Sequence, residues 1–244
     1  MTDCNPKPTP SPPKVNAAHD ATTPLLPAPQ SSHFRRILGD LRYLADSTRF
    51  DIHPTVNRLA PHMNQPHEAH WNQLKWLLRY LKCAPDHGIL FSTSPAQPLL
   101  STCTDADFAN AKNRRSTSGI VHTIHAAPIS WTSSIQDTVA LSICAAEYLA
   151  ATLATQQTNW LCRLLSDFHA TPKKPVKLHI DNQAALRIAL QFAPPSAANS
   201  SISSTTTYTI TSKSVSSPPI IYPPTTTSPT CSPNHLENYA STNS

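Results

Sequence analysis

Proline limits what this chain can fold into. Residues 1–32 hold 8 of the 25 prolines, residues 33–190 hold 9, and residues 191–244 hold 8. All four tryptophans, Trp71, Trp76, Trp131 and Trp160, fall in the middle segment. The flanks are rich in Ser, Thr and Pro and carry too little apolar surface to offset chain entropy. A leader over 1–32 and a tail over 193–244 are therefore expected to be disordered. Only 3 glycines occur. That excludes glycine-rich phosphate loops and dinucleotide fingerprints, which need several glycines within one turn.

The net charge of +5 lies wholly in the middle. Residues 33–190 carry 16 Lys+Arg against 11 Asp+Glu, the leader 2 against 2, and the tail 1 against 1. Such a domain is permissive for polyanions without being diagnostic of them. The 6 cysteines form no C-x-x-C pair, and Met1–Lys14 is polar and proline-rich rather than a secretory signal. Reduced thiols and a cytoplasmic or nuclear setting are expected. The most apolar stretch, 138–154, is interrupted by Glu147 and is too short to span a bilayer, so no membrane partner is expected.

Phe34, Ile37, Leu38, Leu41 and Leu44 recur at helical spacing. Pro54 opens a second helix, with Val56, Leu59, Ala60 and Met63 on one face. Pro66 opens a third, running to about Lys82, with Trp71, Leu74, Leu78 and Leu81 in a stripe and Lys75, Arg79 and Lys82 beside it. That basic edge reads either as a solvated face or as a contact for a phosphate backbone. Beyond Pro85 the period becomes two. Strands are expected over 88–91, 99–104, 117–124 and 127–132, the last two joined as a hairpin through His125-Ala126, with β character continuing over 138–142. A long helix over 145–168, a strand over 176–180 and a helix over 181–192 follow, ended by Pro194-Pro195. Helices followed by β-β-β-α-β-α predict an α/β fold with a mixed sheet and helices packed on it.

Acidic residues are scarce, so their placement is informative. Asp105 and Asp107 end a predicted strand, Glu147 falls in the first turn of the long helix, and Asp181 ends the next strand. Acids so placed can converge on one point. Clustered carboxylates raise one another's pKa unless a cation neutralises them, and hard oxygen donors without a Cys or His motif suit magnesium or manganese. Two such ions about 4 Å apart are a common arrangement for phosphodiester hydrolysis. Each acid also has a plainer reading. Asp105 or Asp107 can form an Asx turn, Glu147 can favour a helix dipole, and Asp181 can be an N-cap. His122, His125 and His179 lack paired-ligand spacing and read as strand or surface histidines.

The residues resemble a known family in ordered blocks. Tyr43-Leu44, Thr48-Arg49-Phe50-Asp51-Ile52 and Val56-Asn57-Arg58-Leu59, then His70-Trp71, Leu74-Lys75 and Leu78-Arg79-Tyr80-Leu81-Lys82, resemble the end of the reverse transcriptase of copia-type LTR retrotransposons. Thr104-Asp105-Ala106-Asp107-Phe108-Ala109, Arg114-Arg115-Ser116-Thr117-Ser118-Gly119, Ile129-Ser130-Trp131, Ala145-Ala146-Glu147-Tyr148-Leu149-Ala150 and Asp181-Asn182-Gln183-Ala184-Ala185 resemble the ribonuclease H domain that follows it in the same Pol polyprotein. The resemblance implies a helical segment over 33–86 like the reverse transcriptase connection, then a truncated ribonuclease H-like domain over 87–192. It implies that Asp105, Glu147 and Asp181 bind two Mg2+ or Mn2+ ions and cut the RNA strand of an RNA–DNA hybrid, with Asp107 as a further acid. Lys75, Arg79, Lys82, Arg114, Arg115, Ser116, Thr117, Asn182 and Gln183 are the implied nucleic-acid contacts. The partners implied are an RNA–DNA hybrid or another nucleic acid duplex, and the remaining polyprotein.

The departures from the family pattern are specific. Phe108 stands where the family has Trp, and Ala145 where it has the first Glu of its block. The polymerase core is absent. After Leu190 the family continues into a K-H-I-D segment that carries a last strand and a fourth catalytic aspartate, whereas residues 191–244 contain no Asp and a single acid, Glu237. A sheet lacking its last strand and a weak or inactive nuclease are expected, as in a decayed transposon fragment with an out-of-frame tail. The alternatives are a non-catalytic nucleic-acid-binding remnant and a fragment without function.

Overall fold

The computed structural model of the chain describes residues 4–13, 23–91, 97–172, 175–192 and 208–212. It forms two compact units that meet in sequence between Ile89 and Leu90. The first unit is helical, with α1 (Ala28–Ser47), α2 (His53–Leu59), a short 3-10 turn at Ala60–His62, and α3 (Glu68–Cys83). Phe34, Leu38, Leu41 and Ala45 of α1 repeat every three or four residues. They meet Ile52, Val56 and Leu59 and, from α3, Leu74, Leu77 and Tyr80 in one buried cluster. The expected stripe of α3 is displaced. Its buried residues are His70, Gln73, Leu74, Leu77 and Tyr80, while Trp71, Leu78 and Leu81 flank the core half-covered. The face includes polar side chains, which apolar periodicity passes over.

The turn between α1 and α2 is held by a buried ionic network. Arg49 Nε and Nη2 donate to Asp51 at 2.9 and 2.8 Å, and Nη1 donates to the Ala84 carbonyl at 2.8 Å. Tyr80 donates its hydroxyl to Asp51 at 2.6 Å. Burial alone would raise the Asp51 carboxyl. The hydrogen bonds from Arg49 and Tyr80 outweigh it and hold the group below the usual carboxylate range.

Of the leader expected to be disordered, residues 4–13 and 23–32 take defined positions, and residues 1–3 and 14–22 lie outside the described residues. Residues 24–26 run beside 66–68, with Leu26 N–H on the Pro66 carbonyl and Glu68 N–H on the Pro24 carbonyl, both at 2.9 Å. Residues 4–13 lie against α3, where Trp76 Nε1–H donates to the Thr9 carbonyl at 2.9 Å and Lys7 Nζ sits 4.3 Å above the Trp76 ring. Five prolines between Pro6 and Pro13 restrict this segment before it docks, so a few such contacts suffice to order it.

The second unit is the expected α/β layer. β1 (Leu100–Asp107) lies at its centre, antiparallel to β2 (Thr117–Ile124) and parallel to β4 (Val176–Ile180). β3 (Ala127–Ile135) lies beyond β2. These four strands, α4 (Ile143–Asp167) and α5 (Gln183–Phe192) form the ribonuclease H-like arrangement. Ala146, Ala150, Ala151 and Ala154 of α4 are buried, and their small side chains let the helix approach the sheet. Deeper in, His122 Nδ1 and Thr158 Oγ1 both bond Thr102 Oγ1, at 2.8 and 2.9 Å. His122 is thus a buried structural histidine.

Three expectations are corrected here. Residues 88–91 and 138–142 are not strands. In the second case Val139 and Leu141 are exposed and face no sheet neighbour. Conversely, a fifth strand, β5 (Tyr208–Ser212), pairs in parallel with the outer edge of β4, matching Val176 to Tyr208 and Ile180 to Ser212. The expected missing strand is therefore supplied. Tyr-Thr-Ile-Thr-Ser favours a pleated edge, and β4 otherwise offers unpaired backbone groups there. The rest of the 193–244 tail lies outside the described residues.

The β2–β3 hairpin turns on His125 and Ala126, whose φ angles are 47° and 69°. Both are left-handed, a conformation strained for side chains with a Cβ. Ala126→Gly is expected to stabilise the chain by about 1 kcal/mol, read as a higher urea midpoint with an unchanged slope.

Candidate metal centre

Each acid reaches the site through a different element. The parallel register pairs Thr104 with Ile180, so Asp105 near the end of β1 and Asp181 directly after β4 are the next residues along neighbouring segments. Ala106, Ala140, Ala146 and Ala150 cluster and bring the start of α4 against the end of β1. One oxygen each from Asp105, Glu147 and Asp181 then lies within 4.8 Å of the others. Among the described residues this is the sole His, Cys, Asp or Glu group with such spacing.

The plainer readings of these acids fare differently in the structure. α4 begins at Ile143, capped by Ser142 Oγ accepting from Ala145 N–H at 3.1 Å. Glu147 therefore stands in the second turn, beyond the first-turn position expected, where the helix dipole acts weakly. Asn182, not Asp181, caps α5: its Oδ1 accepts from Ala184 and Ala185 N–H at 2.9 and 3.1 Å. Asp107 is not among the three converging acids. It accepts a hydrogen bond from Asn110 Nδ2, and Asn110 Oδ1 accepts from Thr117 Oγ1 at 2.9 Å.

Glu147 is only 4% exposed, whereas Asp105 and Asp181 are exposed. Burial is the largest cause raising its carboxyl, to about 8, and the charges of Asp181 and Asp105 add to it. The Ala106 N–H directed at the group works the other way. Glu147 Oε2 is buried and accepts no hydrogen bond. Three hard oxygen donors, one desolvated and without a partner, can hold a metal ion.

This predicts a linkage between metal, protons and stability. A carboxyl whose folded pKa is raised contributes most below its unfolded value, and that contribution is lost as pH rises through the folded value. In chelator the second unit should lose stability from about pH 4.5 to about 8. Divalent cation should restore it increasingly with pH, and Glu147→Gln should remove the slope. Urea unfolding at several pH values, with and without Mn2+, checks this.

The expected nucleic-acid contacts are placed as follows. Ser116 is fully buried, and its Oγ accepts from Ala109 N–H at 3.2 Å, so it holds the β1–β2 loop rather than facing solvent. Arg114 and Arg115 on that loop are exposed, as is Gln183 beside the capping Asn182 at the start of α5. In the first unit Lys75 is exposed. Arg79 Nε and Lys82 Nζ donate to the leader carbonyls of Asn5 and Cys4, at 2.5 and 3.0 Å. Gln136, not singled out by the sequence, is buried between β2 and α4; no motif marks it.

No protein-family model matches the chain. It is 37% identical over 158 residues to a retrovirus-related Pol polyprotein from transposon RE2 of Arabidopsis thaliana, which covers 64% of this chain and 11% of that protein. It is 36% identical over 180 residues to the corresponding polyprotein from transposon RE1 of the same plant, covering 69% of this chain and 12% of that protein. Over more than 60% of its length the chain is thus similar to copia-type retrovirus-related Pol polyproteins from transposons. It spans about an eighth or less of the Pol polyproteins it matches. It is also 38% identical over 125 residues to secreted RxLR effector protein 161 of Plasmopara viticola, covering 51% of this chain and 87% of that protein. Among the described residues, no helix is long and apolar enough to cross a membrane.

Proposed function

We propose that the second unit is a ribonuclease H-like nuclease acting on the RNA strand of RNA–DNA hybrids, weakened by the lack of a fourth carboxylate. The convergence of Asp105, Glu147 and Asp181 carries this reading. All-oxygen donors favour Mg2+ or Mn2+. Bound there, such ions supply the charge that activates water and stabilises the leaving oxygen in phosphodiester hydrolysis. Glu147 offers a desolvated oxygen, and Asp105 and Asp181 face solvent where a phosphate can approach. Arg114 and Arg115, exposed on the loop that joins β1 to β2, would meet backbone phosphates. The remaining Pol polyprotein is the proposed protein partner. A cytoplasmic or nuclear setting is proposed with it.

Weak activity follows from composition. β5 provides the last strand, yet Tyr208–Ser212 contains no acid. Three carboxylates hold a second cation poorly. The experiment is a labelled RNA–DNA hybrid incubated with the full chain and Mg2+ or Mn2+. Slow, metal-dependent cutting of the RNA strand supports the nuclease. Salt-sensitive binding with no cutting supports instead a non-catalytic duplex-binding remnant.

A further inference from the structure

We propose that Gln136 is a positioning residue for the carboxylate centre, its side-chain amide fixing where Glu147 stands relative to Asp105. The inference rests on the metal-binding reading of the three acids. Gln136 directly follows β3 and is 9% exposed. Its Nε2 donates to Ser118 Oγ and to the Ala146 carbonyl, both at 2.9 Å, and its backbone N–H donates to the Ser116 carbonyl at 2.8 Å.

The Ala146 carbonyl belongs to the same planar peptide as the Glu147 nitrogen. Holding that oxygen fixes the plane from which Glu147 departs. Ser118 lies directly across the β1–β2 ladder from Ala106, and the Ala106 N–H is directed at the Glu147 carboxyl. The contacts therefore close a ring from Ala106 across to Ser118, through Gln136 to Ala146, and back through Glu147 to Ala106. Glu147 is a member of this ring, and Asp105 precedes Ala106 in it. The ring thus joins two acids that come from separate elements.

The chemistry asks for this side chain. A primary amide supplies two N–H donors from one nitrogen, one for each acceptor. An ionised Glu has none, and Met, of similar length, has none. Gln136 Oε1 is buried and accepts no hydrogen bond. An apolar residue would avoid that cost, so it is the donor end of Gln136 that is in use.

Mn2+ binding by the full chain, read by the electron paramagnetic resonance of free Mn2+, tests this when run beside thermal unfolding. Gln136→Met is expected to weaken Mn2+ binding about tenfold or more, the usual scale for residues that orient a metal ligand. Ser118→Ala should weaken it by less, and Ser118→Thr, which keeps the hydroxyl, should match the parent. Thr158→Val breaks a buried hydrogen bond three turns along α4. It should lower the unfolding temperature and leave Mn2+ affinity unchanged. Parent-like affinity in both Gln136→Met and Ser118→Ala overturns the proposal, as does an equal loss in Thr158→Val at equal loss of stability. If Gln136→Met does not fold, the two Ser118 variants decide. A parent chain that binds no Mn2+ overturns the metal reading itself and this proposal with it; a parent that binds, with unchanged variants, overturns this proposal alone.

Discussion

Asp105→Asn and Glu147→Gln should each reduce metal-dependent cleavage of an RNA–DNA hybrid at least about a hundredfold, because each removes a charged oxygen from a set of three that has no spare. Both changes preserve side-chain shape. Hybrid binding, measured separately by fluorescence anisotropy, should be retained in both and slightly tightened in Asp105→Asn, since one negative charge fewer then faces the phosphates. The contrast is diagnostic. Parallel loss of binding and cutting would mean that the variants damage the fold, and unchanged cutting would mean that these acids are bystanders. Glu147→Gln should also be more stable than the parent in chelator at pH 8, where the parent's buried carboxyl is half ionised against two neighbouring acids.

The largest effect on stability is expected in the helical unit. Asp51→Ala leaves the Arg49 guanidinium, 4% exposed, without its counter-charge, and leaves the Tyr80 hydroxyl without its acceptor. Breaking a buried pair from one side typically costs about 3–5 kcal/mol, a large share of the about 5–15 kcal/mol that holds a domain together. Denaturant unfolding followed through Trp71 and Trp76 should shift to much lower midpoints. The pH dependence has the opposite sign to that of Glu147. The Asp51 carboxyl is held below its ordinary value of 3.8, so its contribution is present above that pH and is lost as pH falls through the folded value. In Asp51→Ala that acid-induced loss should disappear.

The layout of the second unit was legible because its signals are local. β2 matches its expected bounds, since Thr117–Ile124 is β-branched and ends at a two-residue turn. β4 does too, lying between prolines and a capped helix. The three acids were legible as strand-end and helix-start residues, since topology alone brings such positions together. What was not legible depends on partners distant in sequence. β5 hides in a Ser/Thr run and acquires meaning only beside the edge of β4. The placement of residues 4–13 comes from backbone carbonyls accepting from Trp76, Arg79 and Lys82, and composition says nothing about main-chain acceptors. Asp107 ends the same predicted strand as Asp105, but Asn110, three residues on, engages it instead. Gln136 acts through an amide that no spacing rule marks.

That three acids, on β1, on α4 and directly after β4, jointly grip a divalent cation can be measured directly. In calorimetric titration of the full chain with Mn2+ at pH 7, one saturable site should appear. Its apparent heat should vary with the ionisation enthalpy of the buffer, because binding drives the proton off Glu147. Asp181→Asn should lose that site. No saturable binding by the parent chain, or binding that survives unchanged in Asp181→Asn, would contradict the account.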